Sequence, residues 1–74
     1  MATKTLTLAE VAVRMAYNGL PMTVMGVRYR VQKSNRAGNK FKFRKVMGPK
    51  RRLVDGLAEH EVVQLCRLWK NLHL

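Results

Sequence analysis

The stretch from Val27 to Arg52 constrains the fold more than any other part of the sequence, because it is basic throughout. Its 26 residues include eleven of the fifteen lysines and arginines and no acidic residue. Outside it, four basic residues balance four acidic ones, so the formal charge of +11 belongs to this one stretch. The eleven basic residues are Arg28, Arg30, Lys33, Arg36, Lys40, Lys42, Arg44, Lys45, Lys50, Arg51 and Arg52.

Apolar and polar residues alternate in two parts of this stretch, 27–32 and 40–44. A period of two residues predicts β-strands that bury one face. The buried face would hold Tyr29, Val31, Phe41 and Phe43. The opposite face would hold five basic side chains, Arg28, Arg30, Lys40, Lys42 and Arg44. The alternation therefore predicts a sheet with one basic surface.

A first helix is predicted over residues 8–18. Thr7 and Glu10 have the spacing of a capping box, in which each side chain binds the other residue's backbone N–H group. Gly19 favours a left-handed C-terminal stop, and Pro21 prevents the helix from continuing.

Three strands are predicted after this helix, followed by a segment whose conformation the sequence leaves open. A short strand at 22–24 leads through a turn at Gly26 into a second strand over 27–33. The turn-forming residues 34–39 connect it to a third strand over 40–47. After Gly48 and Pro49, residues 53 and 54 form a short fourth strand or an extended segment.

A second helix is predicted over residues 57–72, with Asp55 as its N-cap. Glu59 and Glu61 lie at the end of the helix where its dipole favours acids. One face of this helix is apolar and comprises Ala58, Val62, Leu65, Cys66, Trp69 and Leu72.

The predicted fold is a small α+β domain with the order α-β-β-β-(β)-α. Both helices pack on one face of an antiparallel sheet, and the opposite face is basic. Residues 1–6 are expected to form a flexible N-terminal tail, and residues 7–74 a single domain, because 74 residues leave little room for a second core.

The composition favours a cytoplasmic protein with an anionic partner. The single cysteine, Cys66, suits a reducing compartment, and neither a signal peptide nor a membrane-spanning run is apparent. A pI near 11 favours nucleic acid as the partner, then an acidic protein surface, then an anionic membrane.

Few residues suit catalysis or metal binding, so no enzymatic activity and no cofactor are expected. His60 and His73 are too far apart to form a helical pair of metal ligands. Cys66 is expected to pack in the core as a small apolar residue. Gly48-Pro49-Lys50 lacks the length and the Ser or Thr of a phosphate-binding loop.

Two features of the sequence resemble known families. The α-β-β-β-α order is similar to that of double-stranded-RNA-binding domains, but the start of the second helix, 57–61, is acidic where that family is basic. The segment 6–12, Leu-Thr-Leu-Ala-Glu-Val-Ala, resembles the opening of excisionase-type and MerR-type winged-helix proteins. That family continues with a turn and a recognition helix, whereas this sequence predicts strands after Pro21, so the fold prediction follows neither resemblance.

The sequence thus predicts a non-catalytic nucleic-acid-binding protein. Eleven cations without a counter-charge repel one another, which favours an anionic partner over a role in solubility alone. The basic sheet face would contact phosphates with little sequence specificity, and Tyr29, Phe41 and Phe43 would be buried rather than stacked on bases. Further basic residues would lie at the edges of this face, namely Lys33, Arg36, Lys50, Arg51 and Arg52.

The alternative prediction is a small regulator or inhibitor, of viral or mobile-element type, whose basic face docks on an acidic surface of a host protein such as RNA polymerase or a nuclease. Four apolar residues outside the predicted core stripes would form its protein contact or a homodimer seam. They are Val13, Tyr17, Val63 and Leu74.

Overall fold

The computed structural model of the protein describes residues 4–72, and their side chains as far as Lys70. Within these residues the elements are β1 (Thr5–Thr7), α1 (Leu8–Tyr17), α2 (Val24–Arg36), β2 (Arg44–Met47), β3 (Leu53–Ala58) and α3 (Glu59–Leu72), with a 3₁₀ turn at Pro49–Arg51. The strands form one antiparallel sheet in the order β1-β3-β2. The α+β class and the antiparallel sheet are confirmed, whereas the predicted order of elements is wrong.

Helix α1 forms as its local signals predict. Thr7 Oγ1 accepts a 3.2 Å hydrogen bond from Glu10 N, and Glu10 Oε1 accepts one of 3.0 Å from Thr7 N, which completes the capping box. At the other end, Gly19 has a φ of 80° and Leu20 N donates to Met15 O over 2.9 Å. The helix therefore ends in a Schellman motif, for which Gly19 supplies the left-handed residue.

The largest correction concerns residues 22–36. The predicted strands over 22–24 and 27–33, and the turn at Gly26, are wrong, because one helix, α2, occupies Val24–Arg36. Thr23 Oγ1 caps it by accepting a 3.2 Å hydrogen bond from Gly26 N. Besides the two-residue alternation, this stretch also has a helical period. Val27, Val31 and Ser34 lie at helical spacing and are all buried.

The predicted strand over 40–47 is confirmed only for its second half, β2. Residues 40–43 are held in an irregular conformation by two side chains instead of a strand partner. The amide of Asn35 donates to Phe41 O over 2.9 Å and accepts from Phe41 N over 2.8 Å. Glu61 Oε2 accepts a 3.0 Å hydrogen bond from Lys42 N. Because these backbone groups are satisfied by side chains, the strand need not extend.

The predicted fourth strand at residues 53 and 54 is confirmed and extends to Ala58 as β3, the central strand of the sheet. Asp55 is therefore not the N-cap of the last helix, and α3 begins at Glu59 rather than near residue 57. Thr5 and Leu6, expected in the N-terminal tail, lie in β1 and pair with β3. His73 and Leu74 lie outside the described residues.

The core is a single cluster enclosed by the three helices and the sheet. Its members are Leu6, Leu8, Val11, Met15, Val27, Val31, Phe41, Leu57, Val62, Leu65, Cys66 and Trp69. Strands β1 and β3 approach closely at Gly56, where a Cβ atom would collide with the carbonyl oxygen of Leu6. Only glycine therefore fits at position 56 without separating β1 from β3.

Candidate nucleic-acid interface

The structure distributes the predicted site residues over three elements instead of one sheet face. Helix α2 carries Arg28, Arg30, Lys33 and Arg36, the irregular segment 40–43 carries Lys40 and Lys42, and the hairpin formed by β2 and β3 carries Arg44, Lys50, Arg51 and Arg52. The predicted basic sheet face is therefore wrong. Its physical basis fails because half of the alternating residues belong to a helix, whose side chains point in all directions around its axis.

The outward face of α2 lies opposite its buried residues. Met25, Tyr29, Gln32 and Arg36 follow one another at intervals of four, three and four residues and are all exposed. Met25 is 73 % exposed and Tyr29 is 52 % exposed, so the predicted burial of Tyr29 is wrong. This face combines apolar, amide and cationic groups, and no element within residues 4–72 covers it.

The β2–β3 hairpin ends in an exposed basic tip. Gly48 N donates a 2.7 Å hydrogen bond to Arg52 O and closes a loop whose middle residues are Pro49, Lys50 and Arg51. Lys50 and Arg51 have φ values of 63° and 56°, which place both in the left-handed region. Such a loop projects its basic side chains away from the sheet, clear of the core.

A shallow groove joins the beginning of α2 to the hairpin. It is lined by Val24 and Arg28 of α2, by Pro49, Val54 and Asp55 of the hairpin, and by residues 7–9 at the beginning of α1. The beginning of α2 and Pro49 at the hairpin tip therefore lie beside each other. The chain contains these groups far apart in sequence, and the fold brings them to one side of the molecule.

Ion pairs divide the cations into neutralised and unpaired groups. Asp55 contacts both Arg28 Nη1, at 2.9 Å, and Lys45 Nζ, at 2.8 Å. Hydrogen bonds from Lys45 and Arg28 lower the pKa of Asp55 below its ordinary value, so the carboxylate stays ionised at neutral pH. Glu61 lies 3.9 Å from Arg44, a looser pair. Two of the five residues predicted for the basic face thus have acidic partners.

The remaining cations form the unpaired group. Besides Arg30, seven of the predicted site residues form no ion pair among residues 4–70, and they are Lys33, Arg36, Lys40, Lys42, Lys50, Arg51 and Arg52. All seven are exposed. Arg36 lies on the outward face of α2, and Lys50, Arg51 and Arg52 lie in the connection between β2 and β3, so the unpaired charge is divided between the helix and the hairpin.

Arg30 packs against α3 instead of lying on the outward face of α2. Its guanidinium lies 5.2 Å from the centre of the Trp69 ring, and its Nη1 atom donates to Gly26 O over 3.4 Å. A guanidinium over an indole face is an attractive cation–π contact. Arg30 therefore connects α2 to α3, and it contributes less to the candidate interface than the sequence predicts.

The outward face of α2 supplies three residues that the sequence analysis missed, Met25, Tyr29 and Gln32. The helix boundaries were present in the sequence as Thr23, a favourable N-cap, and Gly38, whose φ of 106° ends the helix. Given those boundaries, the outward face follows from helical spacing alone.

Other kinds of site find little support in the part of the chain that the structure describes. No group of three or more His, Cys, Asp or Glu side chains there has the proximity to hold a metal ion. Cys66 is buried, and burial raises the pKa of its thiol, as expected for a core residue. None of the described helices combines the length and the apolarity needed to cross a membrane.

Comparisons with protein-family models, with curated protein sequences and with solved structures each found no match.

Proposed function

We propose that the protein is a non-catalytic duplex-DNA-binding module of the winged helix-turn-helix type. Helix α2 would enter the major groove with its outward face, and the β2–β3 hairpin would contact the neighbouring backbone as the wing. The observation that carries the proposal is the groove in which the beginning of α2 meets the basic hairpin, since the outward face of the same helix is exposed.

The order of elements supports this proposal. Helices α1 and α2 pack together and are joined by residues 18–23, a connection slightly longer than the three or four residues usual in the motif. The hairpin and α3 follow. The segment 6–12 resembles the opening of excisionase-type and MerR-type proteins, and α2 occupies the place where those proteins have their recognition helix.

The dimensions of α2 favour duplex DNA over duplex RNA. A helix of 13 residues is about 20 Å long and fits the major groove of B-DNA, which is about 12 Å wide. The major groove of A-form RNA is too narrow to admit a helix. Phe41 is buried and Phe43 is partly buried, so Tyr29 is the only aromatic residue of the basic stretch that is exposed for stacking on a single strand.

The residues would divide into two roles. Gln32 can make the paired hydrogen bonds that amides form with adenine, while Met25 and Tyr29 offer apolar contact to thymine methyl groups. The unpaired cations would bind phosphates and position the module without reading sequence. This differs from the sequence prediction of a phosphate-binding sheet, because base contacts now come from a helix.

Titration of a labelled 20-base-pair DNA duplex at several salt concentrations tests the proposal. With about six phosphates neutralised, log affinity falls against log salt concentration with a slope of roughly −5. A duplex RNA of the same length binds more weakly, because it has no groove for α2. Affinity that is indifferent to salt, or equal for the two duplexes, would contradict the proposal.

Docking on a host protein is the second candidate function, and it is favoured by three exposed apolar residues on α1 and α3. On α1, Tyr17 is 83 % exposed and Val13 is 54 % exposed, as the sequence analysis expected for residues outside the core stripe. Val63 on α3 is also exposed. Pull-down from a nuclease-treated lysate separates the two functions, since only a protein partner survives that treatment.

A further inference from the structure

One acidic residue lies among the cations of the candidate interface. Asp55 projects from the central strand β3 and is contacted by Lys45, its neighbour on β2, and by Arg28, which reaches across from α2. These three residues are called the Asp55 cluster below. Two cations from different elements thus converge on the two oxygens of one carboxylate, and the Asp55 side chain is 22 % exposed.

The Asp55 cluster bridges the groove between α2 and the hairpin. On B-DNA, one sugar–phosphate strand separates the major groove from the adjacent minor groove. If α2 lies in the major groove and the hairpin tip lies beyond its edge, that strand passes over the residues that connect them. Asp55 and Arg28 both line this groove, so the cluster lies beneath the path of the phosphates.

We propose that Arg28 and Lys45 form a backbone-phosphate site that Asp55 keeps occupied, so that this carboxylate limits affinity for non-specific DNA. This inference rests on the proposed function. A phosphate that approaches the cluster meets two cations whose charge is already engaged and a carboxylate that repels it. A phosphate can bind there only if Asp55 releases Arg28 and Lys45. Lys50 and Arg51 form no ion pair with residues 4–70, so a phosphate can bind them without breaking one.

The arrangement gives Asp55 a role in specificity. Phosphate contacts contribute affinity for every sequence, whereas contacts to base edges contribute only at the correct one. Because Asp55 neutralises Arg28 and Lys45, it weakens binding to every sequence alike. It leaves the base contacts of α2 unchanged. Discrimination then depends more heavily on residues such as Gln32.

The first experiment compares Asp55→Asn with Glu59→Gln on a labelled duplex of mixed sequence. Both variants lose one negative charge, but Glu59 pairs with Arg14 on α1 and lies four residues further along, about 13 Å if extended. We expect Asp55→Asn to tighten binding on the order of tenfold and to steepen the salt slope by about 1.8, for two added phosphate contacts. Glu59→Gln should leave the slope unchanged.

Equal effects of the two variants would mean that only net charge matters, and the inference would be wrong. Weaker binding by Asp55→Asn would also overturn it. If the unaltered protein itself shows no salt-dependent binding, the proposed function fails, which is a distinguishable result.

A second pair of variants does not disturb Asp55 and remains informative if Asp55→Asn fails to fold. Lys45 and Lys50 are both exposed residues of the hairpin, but only Lys45 contacts the carboxylate. Lys50→Gln should make the slope shallower by about 0.9, while Lys45→Gln should leave it unchanged. Equal loss in both variants would show that the Lys45 site is open to phosphate and would overturn the inference.

Discussion

The indole nitrogen of Trp69 donates a buried 3.0 Å hydrogen bond to the hydroxyl of Ser34. Ser34 belongs to the last turns of α2, and Trp69 belongs to α3, so this bond fixes one helix against the other across 35 residues of sequence. It also orients α2, because burying Ser34 turns the face of Tyr29 and Gln32 outward. The position of the candidate interface thus depends on a polar contact within the core.

Replacing Ser34 with alanine should lower the free energy of unfolding by about 1 kcal/mol, the usual net value of a hydrogen bond. Urea unfolding monitored by Trp69 fluorescence measures this change. Gln32→Ala serves as the control, since Gln32 is on the same helix but is exposed, and its loss should leave stability nearly unchanged. A Ser34→Ala protein as stable as the unaltered one would mean that the contact has no net value.

Helix α1 shows what local sequence signals can determine. Its capping box and its glycine stop lie within a few residues of the ends that they define, so both boundaries were predictable to within one residue. Helix α2 shows where such signals become ambiguous. Val27 and Val31 fit a period of two and a spacing of four equally well, and the aromatic residue between them favoured the strand.

Contacts distant in sequence resolved that ambiguity. Ser34 is buried because Trp69 needs an acceptor there, which no local pattern reveals. Asp55 was assigned a local role as a helix cap, yet its partners are Lys45 on the neighbouring strand and Arg28, 27 residues earlier. The cationic character of the interface was predictable from composition, whereas its division between a helix and a hairpin required the fold.

Two variants on α2 separate base contacts from phosphate contacts. Gln32→Ala should weaken binding to a preferred duplex by about 1–3 kcal/mol without changing the salt slope, because a lost base contact releases no counterion. Arg36→Gln should make the slope shallower by about 0.9. Fluorescence anisotropy at four salt concentrations measures both. Arg67→Gln, an exposed position on α3, is the charge-matched control and should leave the slope unaltered.

At the hairpin tip, one substitution should raise the stability of the protein and weaken its binding to DNA. Arg51 has a φ of 56°, a conformation that costs roughly 1 kcal/mol for a residue with a side chain and little for glycine. Arg51→Gly should therefore raise the thermal midpoint while making the salt slope shallower by about 0.9. Arg52 has a φ of −107°, so Arg52→Gly should lose the same charge without any gain in stability. Identical midpoints for the two variants would contradict this account.

Gly56 should tolerate no side chain. A Cβ atom there would collide with the carbonyl oxygen of Leu6, a backbone atom that cannot move without disturbing the pairing of β1 with β3. Gly56→Ala should reduce the free energy of unfolding by about 1–3 kcal/mol, as overpacking of a tight site usually does. Chemical denaturation provides the measurement. A loss below 0.5 kcal/mol would show that the two strands separate easily.

Low pH should weaken the ion pair by which Asp55 connects the hairpin to Arg28 on α2. Hydrogen bonds from Lys45 and Arg28 lower the pKa of Asp55 in the folded state, so its contribution to stability is present above the unfolded pKa, about 4, and is lost as the pH falls below it. The thermal midpoint of Asp55→Asn should therefore lie below that of the unaltered protein at pH 6, and the difference should shrink as the pH falls below about 4. Glu10 has a lowered pKa as well, mainly because its carboxylate accepts a hydrogen bond from the backbone of Thr7, and it is present in both proteins. Protonation of Glu10 lowers the stability of both proteins equally, so it cancels when their thermal midpoints are compared. A difference between the two midpoints that is constant from pH 6 to pH 2 would exclude the Asp55 carboxylate as the stabilising group.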